Sequence, residues 1–385
     1  MRIAVVGDLQ YSNEGPIGIA EAFEDINRLS ADAVVFLGDY GVGKEFGTPK
    51  SILDVCQLSK LLKAPKIYPI LGNHDMALEA GKNKLPHGTI AKVLCDAYGL
   101  DSANYVVEYD DFRLVLFGIE PQPEDDFDNK NECYLSPESF ERLNAILNER
   151  KDVPVIMFTH AQPIFGGLRT VPKVHVRATN AYLDQNHNPA KWLKLAKEHP
   201  QILMWFCGHY HIGHHYPNSA TSRYGIDFYL TGVLTVASRD GSRHSRIIDI
   251  NDNVFKVSTL DHNTGNLVLD KEYPKDALKN KKHSDIHKYS FDFDGYGKVL
   301  KLLETEGKQY ILTDDYYVWE LNLELGVVMG TLNCSDTFKP SNIYLKDGLV
   351  WCSDGKKARG FNPNDNLRFM KSMDGPCSYT EKDDE

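Results

Sequence analysis

The side chains best suited to chemistry in this sequence occur in five short polar clusters of carboxylate, amide and imidazole groups. These clusters span residues 7–10, 38–39, 72–75, 159–160 and 208–211. Oxygen ligands and imidazole nitrogens of this kind bind divalent cations. A hydrolytic centre with two ions roughly 3.5–4 Å apart needs such a mixed set, with one carboxylate shared by both ions. The clusters therefore predict a dinuclear metal site.

Each cluster follows an apolar run that is typical of a buried strand. The runs cover residues 3–6, 33–37, 67–71, 155–158 and 202–206. Continuous apolar runs indicate strands covered on both faces, and open α/β sheets bind ligands at the carboxyl ends of their strands. Seven candidate metal ligands are thus expected at one sheet edge: Asp8, Gln10, Asp39, Asn73, His160, His209 and His211. Glycines directly before Asp8, Asp39, Asn73 and His209 would allow sharp turns or close approach.

The elements that must position these residues alternate between strand and helix patterns as far as His211. Helical spacing predicts helices near 19–29, 51–62, 89–98, 136–147 and 188–196, the second beginning with a capping box from Ser51 to Asp54. Residues 105–109 and 112–119 predict a hairpin. Only strand patterns follow, at 224–234, 245–250 and 254–260. The order predicts an α/β fold in which helices flank two stacked sheets.

The remainder of the chain differs in composition from the part that carries the clusters. We predict a catalytic domain at 1–270, a charged linker at 271–288 and a small β-rich domain at 289–385 with a frayed tail. Residues 309–329 and 342–373 form two similar strand–turn–strand units, each with a Val-Trp pair that ends in Trp319 or Trp351. Both tryptophans are expected in the core. The insert at 161–186, which carries Arg169, His175 and Arg177, is either a wall of the active site or a surface excursion.

The five clusters, taken in order, resemble the calcineurin-like metallophosphoesterase superfamily over about residues 1–265. That family's blocks are D-x-H, G-D, G-N-H-[DE], a lone His and G-H-x-H. The resemblance implies a four-layer α-β-β-α sandwich with two metal ions at the sheet edge. It implies that the first ion is held by Asp8, Gln10, Asp39 and His211, and the second by Asp39, Asn73, His160 and His209. It also implies that His74 faces the substrate phosphoryl oxygens, where we expect Asp75 to orient it.

The first block departs from the family pattern because Gln10 stands where the family usually has histidine. A side-chain amide can ligate through its oxygen, but it is a harder ligand than imidazole. It also lacks the second ring nitrogen through which a neighbouring residue could orient a metal-bound imidazole by a hydrogen bond. We therefore expect a weaker first site that favours Mn²⁺ or Mg²⁺ over Zn²⁺. Glutamine here is also found in a branch that resembles the manganese-dependent ADP-ribose/CDP-alcohol diphosphatases. Loss of the first ion remains an open alternative.

The leading functional hypothesis is metal-dependent hydrolysis of phosphate esters or anhydrides through a hydroxide that bridges the metals. We expect a phosphodiesterase or nucleotide pyrophosphatase of small substrates with two divalent ions. Mn²⁺ is favoured, and Fe, Zn²⁺, Mg²⁺, Ni²⁺ and Co²⁺ are the alternatives. The competing hypothesis is a metal-binding scaffold with weak or no activity whose C-terminal domain binds a partner. Gln10 is the one feature that favours this scaffold.

The net charge of the chain limits its possible binding partners, and its cysteines indicate the cellular compartment. The formal net charge is −11, which argues against binding long nucleic acid but permits a small phosphorylated substrate. Seven cysteines without a C-x-x-C pair indicate free thiols in a reducing compartment. Because no signal peptide or apolar run of ~20 residues is present, we expect a cytoplasmic protein without membrane contact. The oligomeric state stays open.

Overall fold

A computed structural model describes most of the 385 residues. The described ranges are 1–12, 18–79, 85–123, 132–168, 181–185, 187–216, 219–235, 237–276, 298–305, 307–314, 316–322, 327–333, 338–363 and 368–374. Arg169, His175 and Arg177 of the predicted insert lie outside them, as does the predicted frayed tail from residue 378 onward. Within these ranges no helix is both long and apolar enough to cross a membrane.

Strands and helices alternate through the first 230 residues and give way to strands alone thereafter. The N-terminal elements are β1 (Arg2–Val6), α1 (Ile19–Arg28), β2 (Ala33–Phe36), α2 (Pro49–Leu58), β3 (Lys66–Pro69), α3 (Thr89–Tyr98), β4 (Tyr105–Glu108), β5 (Arg113–Phe117), α4 (Pro137–Glu149), β6 (Val155–Thr159), α5 (Ala190–Glu198), β7 (Ile202–Cys207), β8 (Ala220–Arg223), β9 (Ile226–Leu230), β10 (His244–Ile250), β11 (Val254–Asp261) and β12 (Asn266–Pro274). The C-terminal strands are β13 (Val299–Thr305), β14 (Lys308–Thr313), β15 (Tyr317–Asn322), β16 (Val327–Asn333), β17 (Asn342–Lys346), β18 (Leu349–Ser353), β19 (Lys357–Asn362) and β20 (Arg368–Asp374).

Hydroxyl side chains cap the N-termini of α2 and α4, and α2 begins at a different residue from the one predicted. The predicted capping box at Ser51 is wrong, because α2 begins at Pro49 and its N-cap is Thr48. The Thr48 hydroxyl accepts the backbone N–H of Ser51 at 3.3 Å. Proline suits the first helical position, where its missing N–H is not needed. The α4 helix begins as expected, with Ser136 as its cap and Pro137 first.

Two six-stranded sheets form the N-terminal part of the molecule. The first has the order β12-β11-β10-β1-β2-β3, with β1, β2 and β3 parallel to one another. The second has the order β4-β5-β6-β7-β9-β8, with β5, β6, β7 and β9 parallel. The five polar clusters follow β1, β2, β3, β6 and β7. Parallel neighbours end at the same edge of a sheet, so each sheet gathers its own clusters at one edge.

The core divides into layers along each strand because successive side chains point to opposite faces. In β1, Ile3 and Val5 belong to the cluster shared with the second sheet, whereas Ala4 and Val6 pack with the outer helices. Phe158 of β6 and Phe206 of β7 complete the inner layer. The two stacked sheets with helices outside form the predicted four-layer α-β-β-α sandwich, and the α/β fold class is confirmed.

The C-terminal part consists of two four-stranded antiparallel sheets. The third sheet has the order β13-β14-β15-β16, and the fourth has the order β17-β18-β19-β20. Each predicted two-strand unit is thus part of a four-stranded sheet. The two sheets share a buried cluster that includes Leu312 and Val318 from the third sheet and Val350 and Phe361 from the fourth. The predicted β-rich region is therefore confirmed, with more strands than the sequence indicated.

The predicted linker begins too early. Residues 271–274 are the end of β12, which pairs with β11 at the edge of the first sheet, and residues 277–288 lie outside the described ranges. Tyr273 is 5% exposed, packs in the layer between the sheets, and its hydroxyl is hydrogen-bonded to that of Tyr229. The Arg246 guanidinium pairs with Asp270 at 2.9 Å. The charged residues lie on the exposed face of β12, and Tyr273 is the one side chain of this strand that is buried.

Replacement of Tyr273 by alanine is expected to lower the free energy of unfolding by about 3–5 kcal/mol, because loss of a buried ring leaves a cavity. Val268→Ala on the same strand is the control. Val268 is 59% exposed, so its truncation should change stability by less than about 0.5 kcal/mol. Denaturant unfolding of the full chain measures both. Equal effects would contradict the anchoring role of Tyr273.

Candidate metal centre

The structure brings all seven predicted ligands into one buried network at the sheet edge. Their exposed fractions are 0% for Asp8, Asp39, Asn73 and His160, 2% for His209, 6% for Gln10 and 8% for His211. Two sets of three side chains have potential ligand atoms within 4.8 Å of one another. The first set is Asp8, Asp39 and His211, and the second is Asp39, His160 and His209. Asp39 belongs to both sets, as expected of a carboxylate shared by two ions.

The first set is organised around the Asp8 carboxylate. Asp8 Oδ1 lies 3.1 Å from His211 Nε2, and Asp8 Oδ2 accepts the backbone N–H of His209 at 2.7 Å. Burial alone would raise the pKa of Asp8, but the adjacent imidazoles, His211 foremost, outweigh it and lower that pKa below its usual value. The carboxylate is therefore ionised and available as a ligand.

The second set converges on His160 Nε2. This nitrogen lies 2.9 Å from Asn73 Oδ1, 3.2 Å from His209 Nδ1 and 3.5 Å from Asp39 Oδ2. The Nδ1–H of His160 donates to the Leu37 carbonyl at 2.7 Å, so Nε2 of the neutral ring is an acceptor that faces the Asn73 and Asp39 oxygens. Burial alone would lower the pKa of His160, but the charges of Asp39 and Asp8 outweigh it and raise that pKa above its usual value. A proton on Nε2, or a cation among these atoms, would relieve the repulsion between the acceptors.

Two buried polar atoms within the described part of the chain point to the same conclusion. Asp39 Oδ2 and Gln10 Nε2 are both buried without a hydrogen-bond partner. Such orphaned groups destabilise a fold by roughly 1–3 kcal/mol each, and more if charged. Rotation of the Gln10 amide would present its oxygen instead. The donor set of carboxylates, amides and imidazoles, together with these unsatisfied atoms, fits a pair of divalent cations.

The ligand loops carry an unusual backbone. Gln10, Asp39, His209 and His211 have φ angles of 49°, 54°, 75° and 53°, in the left-handed region that non-glycine residues rarely adopt. Each such residue costs on the order of 1–3 kcal/mol and persists only where its surroundings hold it. Four strained positions within one set of seven ligands mark a functional site.

Close approach explains two of the glycines that precede ligands. A Cβ at Gly208 would lie 2.5 Å from Asp8 Oδ2, and one at Gly72 would lie 2.2 Å from Asp39 Oδ1. Any larger residue at either position would therefore push a ligand carboxylate out of place.

Asp75 lies at the centre of the ligand loops and does not contact the His74 ring. Its carboxylate accepts the backbone N–H groups of Asp39, Tyr40 and Gly72 at 2.9, 2.9 and 2.7 Å. Burial, and then the charge of Asp39, raise the pKa of Asp75 to about 7. The expectation that Asp75 orients His74 is wrong. Asp75 instead ties the second ligand loop to the third.

The His74 ring is half-buried and is held by a residue that the sequence did not single out. It stacks on Phe46, with ring centroids 4.4 Å apart and an interplanar angle of 18°. The His74 backbone N–H donates to Asp39 Oδ1 at 2.9 Å. The imidazole therefore stands beside the ligand cluster, while its ring nitrogens stay outside the ligand sets.

Two further residues near the site were missed, because no motif surrounds Cys133 and Tyr210 occupies the variable position of the last motif. Cys133 is fully buried, and its Sγ lies 3.9 Å from His209 Nε2, on the opposite side of the ring from the Nδ1 that faces His160. Burial raises the pKa of the Cys133 thiol well above its usual value, so the sulfur stays protonated. Tyr210, between the two histidines of the last cluster, is fully buried as well.

Three further polar residues near the last cluster differ in their exposure. His215 is exposed. His214 is partly buried, its Nδ1 lies 2.9 Å from the Thr259 hydroxyl, and its Nε2 accepts the Gly232 N–H at 3.1 Å. Arg239 is exposed, and its backbone N–H donates to the His211 carbonyl at 2.8 Å.

Comparison with known proteins agrees with this geometry. A family model described as calcineurin-like phosphoesterase matches residues 1–232. No curated protein matches the chain. Among solved structures, a dimetal phosphatase from Danio rerio is 14% identical with a TM-score of 0.50, covering 74% of this chain and 99% of its own. Vps29 from Entamoeba histolytica, complexed with zinc, is 11% identical with a TM-score of 0.33, covering 71% and 99%.

Gln10→His is expected to strengthen Zn²⁺ binding on the order of tenfold, because imidazole is a better zinc ligand than an amide oxygen. Gln57→His, on the exposed face of α2, is the matched control and should leave the affinity unchanged. Competition titration with a zinc chelator measures both. Unaltered Zn²⁺ affinity in the Gln10 variant would show that this side chain does not face a metal.

Proposed function

The chain belongs to the calcineurin-like phosphoesterase family of metal-dependent hydrolases, and on that premise we propose that it hydrolyses small phosphodiesters or diphosphates. The observation that carries this proposal is the pair of ligand sets that share Asp39. A shared carboxylate holds two ions close enough to act on one phosphoryl group. A buried aspartate that only stabilises a turn or an ion pair would have hydrogen-bond partners for both oxygens. Asp39 Oδ2 has none, which favours a metal-binding role.

The residues that would hold the ions divide according to the two sets. Asp8, Gln10, Asp39 and His211 would hold the first ion, and Asp39, Asn73, His160 and His209 the second. When bound, two divalent cations lower the pKa of an attacking water and neutralise charge on the phosphoryl oxygens. We propose Mn²⁺ as the native metal, because Gln10 replaces an imidazole by an oxygen ligand.

His74 is the residue we assign to the substrate. Its backbone N–H is hydrogen-bonded to the Asp39 carboxylate, and its ring stacks on Phe46. The His74 ring belongs to neither ligand set. A ring nitrogen that carries a proton can donate to a phosphoryl oxygen or to the leaving oxygen. Stacking on Phe46 restricts the ring, so less orientational freedom is lost when the hydrogen bond to the substrate forms.

The preference for small substrates rests on charge. The net charge of −11 repels polyanions such as DNA, whereas a single phosphoryl group can be attracted by the local field of bound cations. We further propose a reducing, cytoplasmic setting, supported by the free thiols of Cys56, Cys95 and Cys207.

A panel of three substrates with Mn²⁺ tests the proposed activity, the two p-nitrophenyl esters by absorbance and the dinucleoside diphosphate by chromatography of its products. Bis(p-nitrophenyl) phosphate represents diesters, p-nitrophenyl phosphate represents monoesters, and a dinucleoside diphosphate represents anhydrides. We expect turnover of the diester or the diphosphate to exceed that of the monoester. Inactivity towards all three with every divalent metal would favour a metal-binding scaffold whose C-terminal part binds a partner.

His74→Ala is expected to lower kcat by about 10²–10⁴-fold, the usual contribution of a positioned acid or base, while metal content stays unchanged. His87→Ala, at an exposed position outside the site, is the control and should retain full kcat. Steady-state kinetics and elemental analysis of the same preparations give both quantities. Full turnover in the His74 variant would refute its role.

Removal of a ligand should affect metal content directly. Asp39→Ala is expected to lose both ions, because Asp39 belongs to both ligand sets, whereas Asn73→Ala should lose only the second. Elemental analysis after dialysis against a limiting Mn²⁺ buffer distinguishes the two variants. Retention of two ions per chain by the Asp39 variant would contradict the shared-ligand arrangement.

A further inference from the structure

The end of the insert contacts the ligand loops directly. Residues 181–185, which we call the returning segment, are the last described residues of the insert that begins after His160. The Asp184 backbone N–H donates to the Cys133 carbonyl at 2.8 Å, and the Leu183 N–H donates to the Gln162 carbonyl at 2.9 Å. Cys133 in turn lies against His209. The returning segment is therefore part of the surroundings that hold the metal ligands.

Tyr210 provides the closest connection between this segment and the ligands. Its hydroxyl donates to the Ala181 carbonyl at 2.8 Å and accepts from Gln162 Nε2 at 2.7 Å. Tyr210 is flanked by His209 and His211, both with left-handed backbone angles. Because those angles are unfavourable for histidine, the fully buried tyrosine between them fixes the path of the loop. Ala181 therefore helps to set the positions of two ligands.

The other side of the returning segment packs on the third sheet. Ile164, Ala181 and Tyr182 form one buried cluster with three residues of the third sheet, Ile311, Tyr317 and Trp319. Trp319 is 1% exposed, and its ring centroid lies 5.8 Å from that of Tyr317. We call these six residues the docking cluster. It joins the C-terminal part of the chain to the segment that Tyr210 holds.

We propose that the third sheet positions the His209–His211 ligand pair through the docking cluster, Ala181 and Tyr210, so that full metal affinity requires this sheet to be docked. The inference rests on the proposed role of these histidines as metal ligands. It gives the C-terminal region a definite task, with Trp319 and Tyr210 as positioning residues that do not themselves touch substrate.

The repeated architecture of the C-terminal region supplies a matched control. Trp351 occupies the equivalent place in the fourth sheet, is 1% exposed, and packs with Tyr344 and Ala358 of its own sheet. Its indole N–H donates to the Lys346 carbonyl at 3.1 Å. Loss of either tryptophan therefore removes a buried indole from a four-stranded sheet, but only Trp319 belongs to the docking cluster.

The experiment compares Co²⁺ binding by the full-length wild type with that of Trp319→Ala, Trp319→Phe, Trp351→Ala and Tyr210→Phe. The visible absorption of bound Co²⁺ reports coordination without requiring turnover. We expect Trp319→Ala and Tyr210→Phe to weaken Co²⁺ binding by about tenfold or more, as is usual when groups that orient metal ligands are removed. Trp351→Ala should bind as the wild type does, and Trp319→Phe should recover most of the affinity.

Tyr210→Phe keeps the test valid if Trp319→Ala does not fold, because it removes a single hydroxyl and leaves the third sheet intact. Wild-type affinity in both variants, or equal weakening by Trp319→Ala and Trp351→Ala, would overturn the inference. Failure of the proposed function has a different signature, namely wild-type protein that binds Co²⁺ normally and hydrolyses no substrate.

Discussion

Burial of three carboxylates in one small volume is the constraint on which the rest of the structure depends. Asp8, Asp39 and Asp75 are each no more than 1% exposed, and none of them forms an ion pair with lysine or arginine in the described part of the chain. Buried charges without compensation are strongly unfavourable. Backbone N–H groups satisfy Asp75, and imidazoles partly offset the charge of Asp8. Asp39 Oδ2 remains without a hydrogen-bond partner, and a bound cation would satisfy it.

The two sheets and the loops between them serve to hold that charge cluster. Strand ends set the approximate positions, and the final geometry comes from strained turns at Gln10, Asp39, His209 and His211. Such turns need support from elsewhere. Asp75 provides it for the second and third loops, and Tyr210 provides it for the last. The metal centre is thus a rigid feature of the fold, in keeping with a site that must present two ions to one phosphoryl group.

The sequence predicted which candidate ligands come together but not the groups that hold them. The five clusters could be predicted because each follows an apolar strand and the strands that carry them are parallel within each sheet. The role of Asp75 could not, since its partners are backbone groups of its own loop and of the second loop. Phe46 and Cys133 carry no local pattern and meet the site only through folding. The predicted strand at 224–234 is shorter, because residues 224 and 225 form the turn of a hairpin between β8 and β9. The first residues of the predicted linker belong to β12, where neighbouring charged residues concealed the buried Tyr273. In α2, Pro49 made Thr48 the better cap than Ser51.

Anomalous diffraction from a crystal grown with Mn²⁺ tests the central claim most directly. We expect two peaks roughly 3.5–4 Å apart, with an Asp39 oxygen coordinating each ion, as in other two-metal hydrolytic centres. Asp8 and His211 should lie at one peak, and Asn73, His160 and His209 at the other. A single peak that excludes Asp39, or no peak among these side chains, would contradict the account.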